Sequence, residues 1–110
     1  MKHKEETDIQ NTIRVALCQK GCKIFRCTVG NFYTKYGQEI KIGETGHSDL
    51  YGARADGKAI FLEVKTDAGE ASDEQKQFIK IMKKQNTLAG FARSVEDAFK
   101  IVFPEQYSWH

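Results

Sequence analysis

Two short stretches and the turn between them set the frame of this chain: Gly46-His47-Ser48-Asp49 and Phe61-Leu62-Glu63-Val64-Lys65-Thr66, with Ala55-Asp56-Gly57 in between. Ala59 to Thr66 is rich in apolar and β-branched residues, which predicts a strand. Side chains alternate along a strand, so Phe61, Glu63 and Lys65 share one face and Ile60, Leu62 and Val64 the other. Ala55-Asp56-Gly57 supplies a three-residue hairpin loop, a type I turn closed by Gly57 in the left-handed conformation. In that register Arg54 faces Lys58, Asp49 lies opposite Glu63, and His47 lies opposite Lys65. A two-residue Asp56-Gly57 turn would carry Asp49 to the wrong face. The three-residue loop thus brings two carboxylates within about 5 Å of each other. Like charges so placed repel unless something neutralises them. Two readings stay open here. One is a solvated face with Asp–Lys or Glu–Arg surface pairs, as antiparallel sheets commonly carry. The other is a divalent-cation site, because hard cations prefer carboxylate oxygens.

The rest of the chain narrows the class. A length of 110 residues predicts one domain, 1–110, with room for a real core. The net charge of +2 is too small for bulk attraction to nucleic acid, so any such binding rests on local patches. Three cysteines, an odd number, point to a reducing, intracellular compartment. Cys18, Cys22, Cys27 and His3 match no zinc-ligand spacing, and buried free thiols are the expectation. The first residues are charged and carry no apolar segment, so no signal peptide is read there. No run is apolar enough to span a membrane.

Taken in order, Glu5 to Lys20 reads as a helix with Ile9, Ile13, Ala16 and Leu17 on one stripe. Glu6 falls near the centre of that stripe's face, and Glu5 about 100° to one side. Glu6 is then either a partner for the helix dipole or a third carboxylate aimed at the sheet. Gln10 follows one turn later on the same side. Cys22 to Val29 reads as a strand. The glycine-rich segment from Gly30 to Gly46 holds a turn at Tyr36-Gly37-Gln38 and an extended piece from Glu39 to Ile42. Lys35 and Lys41 lie among Phe32, Tyr33 and Tyr36, a mixture that suits either a nucleic-acid contact or a polar loop. Ser72-Asp73-Glu74-Gln75 is a capping box opening a helix to about Gln85, with Phe78, Ile79 and Met82 buried. Capping alone accounts for Gln75. Lys76, Lys80, Lys83 and Lys84 form an outward basic stripe, either a solvated face or a track for phosphates. Leu88 to Arg93 is a strand reached through that helix, hence parallel to Ala59–Thr66. Ser94 caps a last helix, which ends before Pro104. The result is an α/β fold: an αβββαβ core with a closing helix, and a mixed sheet flanked by helices.

Several pieces, in this order, resemble a known family. Glu6-Thr7-Asp8-Ile9-Gln10 is similar to an E-x-x-x-Q helix start. Gly46 to Gly52 is similar to G-x-S-D-L-x-G, and Glu63-Val64-Lys65-Thr66 to E-V-K-T. Ser72 to Lys76 is similar to S-x-x-Q-K, and Arg93 to Ala98 to R-S-V-E-D-A. Together they resemble the VRR-NUC (virus-type replication-repair nuclease) family of the PD-(D/E)XK superfamily, in its short, phage-type form, whose fold is restriction-endonuclease-like. Each motif alone is common, but five in order over residues 5–102 are specific. The resemblance implies a metal-dependent DNA endonuclease. Asp49 and Glu63 would bind Mg2+ or Mn2+, with Glu6 and the Val64 carbonyl completing the site. Lys65 would stabilise charge on the scissile phosphate, and Gln10 and Gln75 would orient water or phosphate. Ser48, Lys35, Lys41 and the lysines of the basic stripe would contact DNA. A homodimer cutting four-way junctions is expected, inside a bacterial or phage-infected cell. The alternatives are a monomeric flap or single-strand endonuclease and a non-catalytic nucleic-acid-binding module.

Overall fold

The strand pair foreseen on either side of Ala55-Asp56-Gly57 is the middle of a four-stranded sheet in the computed structural model. That structure describes residues 6–26, 30–33, 36, 39–42, 49–67 and 69–107, with the backbone alone for 30–33 and 39–42. The elements are α1 (Glu6–Gln19), β1 (Lys23–Arg26), β2 (Gly30–Tyr33), β3 (Glu39–Ile42), β4 (Leu50–Ala53), β5 (Ala59–Val64), α2 (Asp73–Lys84), β6 (Leu88–Ala92) and α3 (Val95–Val102), then a short 3-10 turn (Pro104–Gln106). The main sheet runs β1-β4-β5-β6, and β2 and β3 form a separate antiparallel pair. β4 is antiparallel to β1 and β5, whereas β6 is parallel to β5, as its helical connection requires.

The turn sets the register. The Arg54 N–H donates to the Lys58 carbonyl and the Gly57 N–H to the Arg54 carbonyl, both at 2.8 Å. Gly57 has φ +92°, the left-handed region in which a side chain is strained. Tyr51 then pairs with Phe61 and Leu50 with Leu62. This is the register of the three-residue loop. Gly52 is fixed by a close approach instead: a Cβ there would stand 1.8 Å from the Lys23 carbonyl oxygen of β1.

The alternation along β5 divides the molecule into layers. Ile60, Leu62 and Val64 are buried with Ile13 and Leu17 of α1, Ile24, Leu50, and Ala98 and Val102 of α3. Burying each such large aliphatic side chain stabilises the fold by about 1.5–3 kcal/mol. Phe61 points the other way and meets Phe78 of α2 edge-on, with ring centroids 5.8 Å apart. Phe25 and Tyr51, partners across β1 and β4, pair their rings on Phe61's face and remain largely exposed.

Four expectations need correction. The segment after β1 holds two strands, β2 and β3, where only the second was foreseen. Glycine and polar residues hide a strand whose partner is local. β1 begins at Lys23 where Cys22 was expected, and the expected end at Val29 lies, with Cys27, outside the described residues. Among the described residues Cys22 is a buried thiol and Cys18 is exposed, because position 18 faces away from the Ile13–Leu17 stripe. Phe78 and Met82 are half-buried, and Ile79 alone in α2 is fully buried. Among the described residues, no helix is long and apolar enough to cross a membrane.

Candidate active site

The acids gather where β4 begins and β5 ends. Continuing the β4–β5 register one step past Leu50–Leu62 sets Asp49 across from Glu63. The ladder does not close there in the regular way. Instead the Asp49 Oδ2 accepts from the Val64 N–H at 2.9 Å, so the side chain takes the place of a strand carbonyl. Nothing in the sequence points to that contact. It fixes the Asp49 carboxylate against the end of β5.

Glu63 is only 2% exposed, an extreme value for a carboxylate. Its Oε1 accepts from the Gln75 Nε2 at 2.8 Å and lies 3.9 Å from the Lys65 Nζ. Gln75 is placed by the capping box. The Ser72 N–H donates to its Oε1 at 2.9 Å, and its own N–H donates to the Ser72 Oγ at 3.2 Å. One amide thus closes the helix start with its oxygen and holds the buried acid with its nitrogen.

α1 brings the third acid. Glu6 is half-buried at the helix start, and the Gln10 Nε2 reaches its Oε1 at 3.5 Å. Burial, then the Asp49 charge, raises the Glu6 carboxyl above the usual carboxylate range. The same two causes, in the same order, push Glu63 up to about 8. The Asp49 charge acts on both Glu6 and Glu63, so each holds its proton more tightly than a free carboxyl does. Three carboxyls pressed together in this way favour either protons or a cation.

The donor types, carboxylate oxygens, are those a divalent cation prefers. Asp49 and Glu63 supply oxygens from two adjacent strands, and Glu6 approaches from α1. The Gln10 Oε1 is buried with no hydrogen-bond partner among the described residues. An orphaned acceptor of this kind costs about 1–3 kcal/mol, and the hydration water of a bound ion would satisfy it. Among the described residues, no three Asp, Glu, His or Cys side chains are gathered closely enough to hold an ion by themselves. Main-chain oxygen and water would complete the shell, and the Val64 carbonyl at the end of β5 is within the same stretch.

The other expected residues divide. Lys76, Lys80, Lys83 and Lys84 are all exposed on α2. Lys41 lies on β3, where the backbone alone is described, and Lys35, Ser48 and His47 lie outside the described residues, as do Glu5 and Gly46. Arg93, noted in the sequence only as part of a motif, stands at the end of β6, and its Nη1 donates to the Thr66 carbonyl.

Known proteins resemble the chain in sequence and fold. The sequence model described as VRR-NUC domain matches residues 3–96. No curated protein matches significantly. A solved structure titled "VRR_NUC domain" superimposes with a TM-score of 0.64 at 16% identity, covering 88% of this chain and 92% of its own. A second, titled "VRR_NUC domain protein", gives 0.60 at 16% identity over 92% of this chain and 87% of its own. At such identity these two speak for the fold.

Proposed function

The chain belongs to the VRR-NUC family of nuclease-type domains, and on that footing we propose that it is a metal-dependent endonuclease that cleaves branched DNA. One observation carries the reading: Asp49, Glu63 and Glu6 converge beside Lys65, with Gln10 and Gln75 holding them. A module that only binds DNA gains nothing from three acids turned toward a polyanion.

The proposed roles are those the family resemblance implies, and the geometry supports them. Asp49, Glu63, Glu6 and the Val64 carbonyl would hold Mg2+ or Mn2+, which when bound polarises a phosphodiester and lowers the pKa of water beside it. Lys65 is 8% exposed and leans on Glu63. Its ammonium offsets charge that builds on the phosphate oxygens as the P–O bond breaks. Gln75 keeps Glu63 aimed, and Gln10 offers a free buried oxygen to a water. Both amides do so without changing the charge of the site. The lysines of α2 extend a basic face along which backbone phosphates would run.

A four-way junction has approximate two-fold symmetry and must be cut in two strands, so a C2 homodimer with one site per chain matches it. The test is a metal-titrated nicking assay on plasmid, four-way junction, flap and linear duplex, with light scattering on the same sample. Cleavage that requires Mg2+ or Mn2+, stops in EDTA and favours the junction in a dimeric sample is the expected result. Glu63→Ala and Lys65→Ala should each lower the rate by about 10²–10³-fold while the protein stays folded. Full cleavage by the Glu63→Ala protein would end the assignment. A monomer with equal rates on junction and duplex would leave only a generic nuclease.

A further inference from the structure

The Lys65 N–H donates to the Ala92 carbonyl at 3.0 Å. In a parallel ladder an amide bonds to the residue preceding its partner, so the pairing Val64–Ala92 continues to Lys65–Arg93. Paired residues on adjacent strands point to the same face and lie about 4.8 Å apart. Arg93 therefore stands beside Lys65 on the face that carries Glu63. The two cations differ in setting. Lys65 is buried and leans on Glu63, whereas Arg93 is exposed.

Arg93 is also held in place. Its N–H donates to the Asp97 Oδ2 at 2.9 Å, and the Asp97 N–H donates to the Ser94 Oγ at 3.1 Å, so the start of α3 anchors its backbone. One guanidinium nitrogen, Nη1, donates to the Thr66 carbonyl, which draws the fork across the end of β5. An arginine has five N–H donors. Its remaining donors meet no carboxylate or carbonyl among the described residues. A planar fork fixed at one corner, exposed at the others and adjacent to a catalytic lysine has the geometry that receives phosphate oxygens. It also offsets the repulsion that the acids exert on a polyanion.

We propose that Arg93 is a phosphate-binding residue of this site, gripping a backbone phosphate of the DNA beside the one at Lys65. The proposal rests on the nuclease reading, and it is tested by binding rather than by cleavage. Affinity for a four-way junction is measured in EDTA over a range of salt for the full chain, Arg93→Gln and Arg93→Lys. Losing one phosphate contact should reduce the log–log salt slope by about 0.9 in Arg93→Gln, and Arg93→Lys should keep the wild-type slope. A residue that merely pins Thr66 would lower the melting temperature of Arg93→Gln and leave the slope untouched, which would overturn the proposal while the nuclease reading stands. A second measurement needs no variant: phenylglyoxal modification of Arg93 in the wild-type protein, followed by mass spectrometry, should be suppressed by DNA. Equal modification with and without DNA would overturn the proposal too. If the wild-type chain binds DNA with the expected slope yet cuts none with any metal, the nuclease reading fails and the Arg93 contact survives.

Discussion

Glu6 is the residue on which helix phase becomes chemistry. The stripe Ile9, Ile13, Leu17 turns one side of α1 to the core, and Glu6 lies at the start of that side. Its carboxyl lies within reach of the Asp49 charge and accepts a hydrogen bond from Gln10. Glu6→Gln should therefore cost far more cleavage than Glu5→Gln, about tenfold or more for the loss of a charge-assisted contact. Rates for the two variants on one junction substrate check this, and equal losses would contradict the phase. Gln75 teaches a different lesson at the same scale. The S-x-x-Q pattern is legible as a capping box, and it is one. That its amide nitrogen also holds Glu63 is not legible, because the distance from α2 to β5 depends on how the loop at 65–72 closes.

The element that matters most is the β4–β5 hairpin. Its register depends on one left-handed glycine, and its contact with β1 depends on one glycine without a side chain. Gly57→Ala should destabilise the fold by about 1–2 kcal/mol, the cost of a left-handed conformation with a Cβ. The residue meets nothing within 4 Å, so backbone strain is the whole effect. Gly52→Ala should cost more, about 4 kcal/mol or the loss of folding, because its Cβ would overlap the Lys23 carbonyl. Denaturant melts of the two proteins separate strain from collision. Similar midpoints for both would mean that β1 can shift away from β4. The turn already marked Gly57 as a conformational glycine in the sequence. Only the sheet reveals that Gly52 serves packing.

For the whole molecule, the acid cluster ties stability to pH and, on the proposed reading, to metal. The folded chain binds protons on Glu63, and to a lesser degree on Glu6, more tightly than the unfolded chain does, since both carboxyls are raised. Stability from this source is fully present below the ordinary carboxylate pKa near 4.5 and is lost as pH rises through about 8. In EDTA the melting temperature should fall between pH 5 and pH 8 by this route. A cation favours the ionised carboxyls, so Mg2+ should restore more stability at pH 8 than at pH 5. Glu63→Gln should flatten both trends. Thermal melts in EDTA and in Mg2+ at the two pH values check this. A melting temperature that rises with pH in EDTA, with no added effect of Mg2+, would remove the cation site.

What the sequence determined by itself is local or periodic. Helix stripes, caps, the three-residue turn and the alternation along β5 each depend on neighbours a few residues away, so the order of the elements around the site and the Asp49–Glu63 juxtaposition could be read from it. Five motifs in order also carried the family. Tertiary structure alone decided the rest. β2 had no apolar alternation to reveal it, and its partner is the strand that follows. The Val64 amide on Asp49, the second bond of Gln75 and the place of Arg93 beside Lys65 all join residues a dozen or more apart in the chain. Such contacts are set by how layers pack and where a parallel strand stops. Helix and strand periodicities span only a few residues, so they do not encode them.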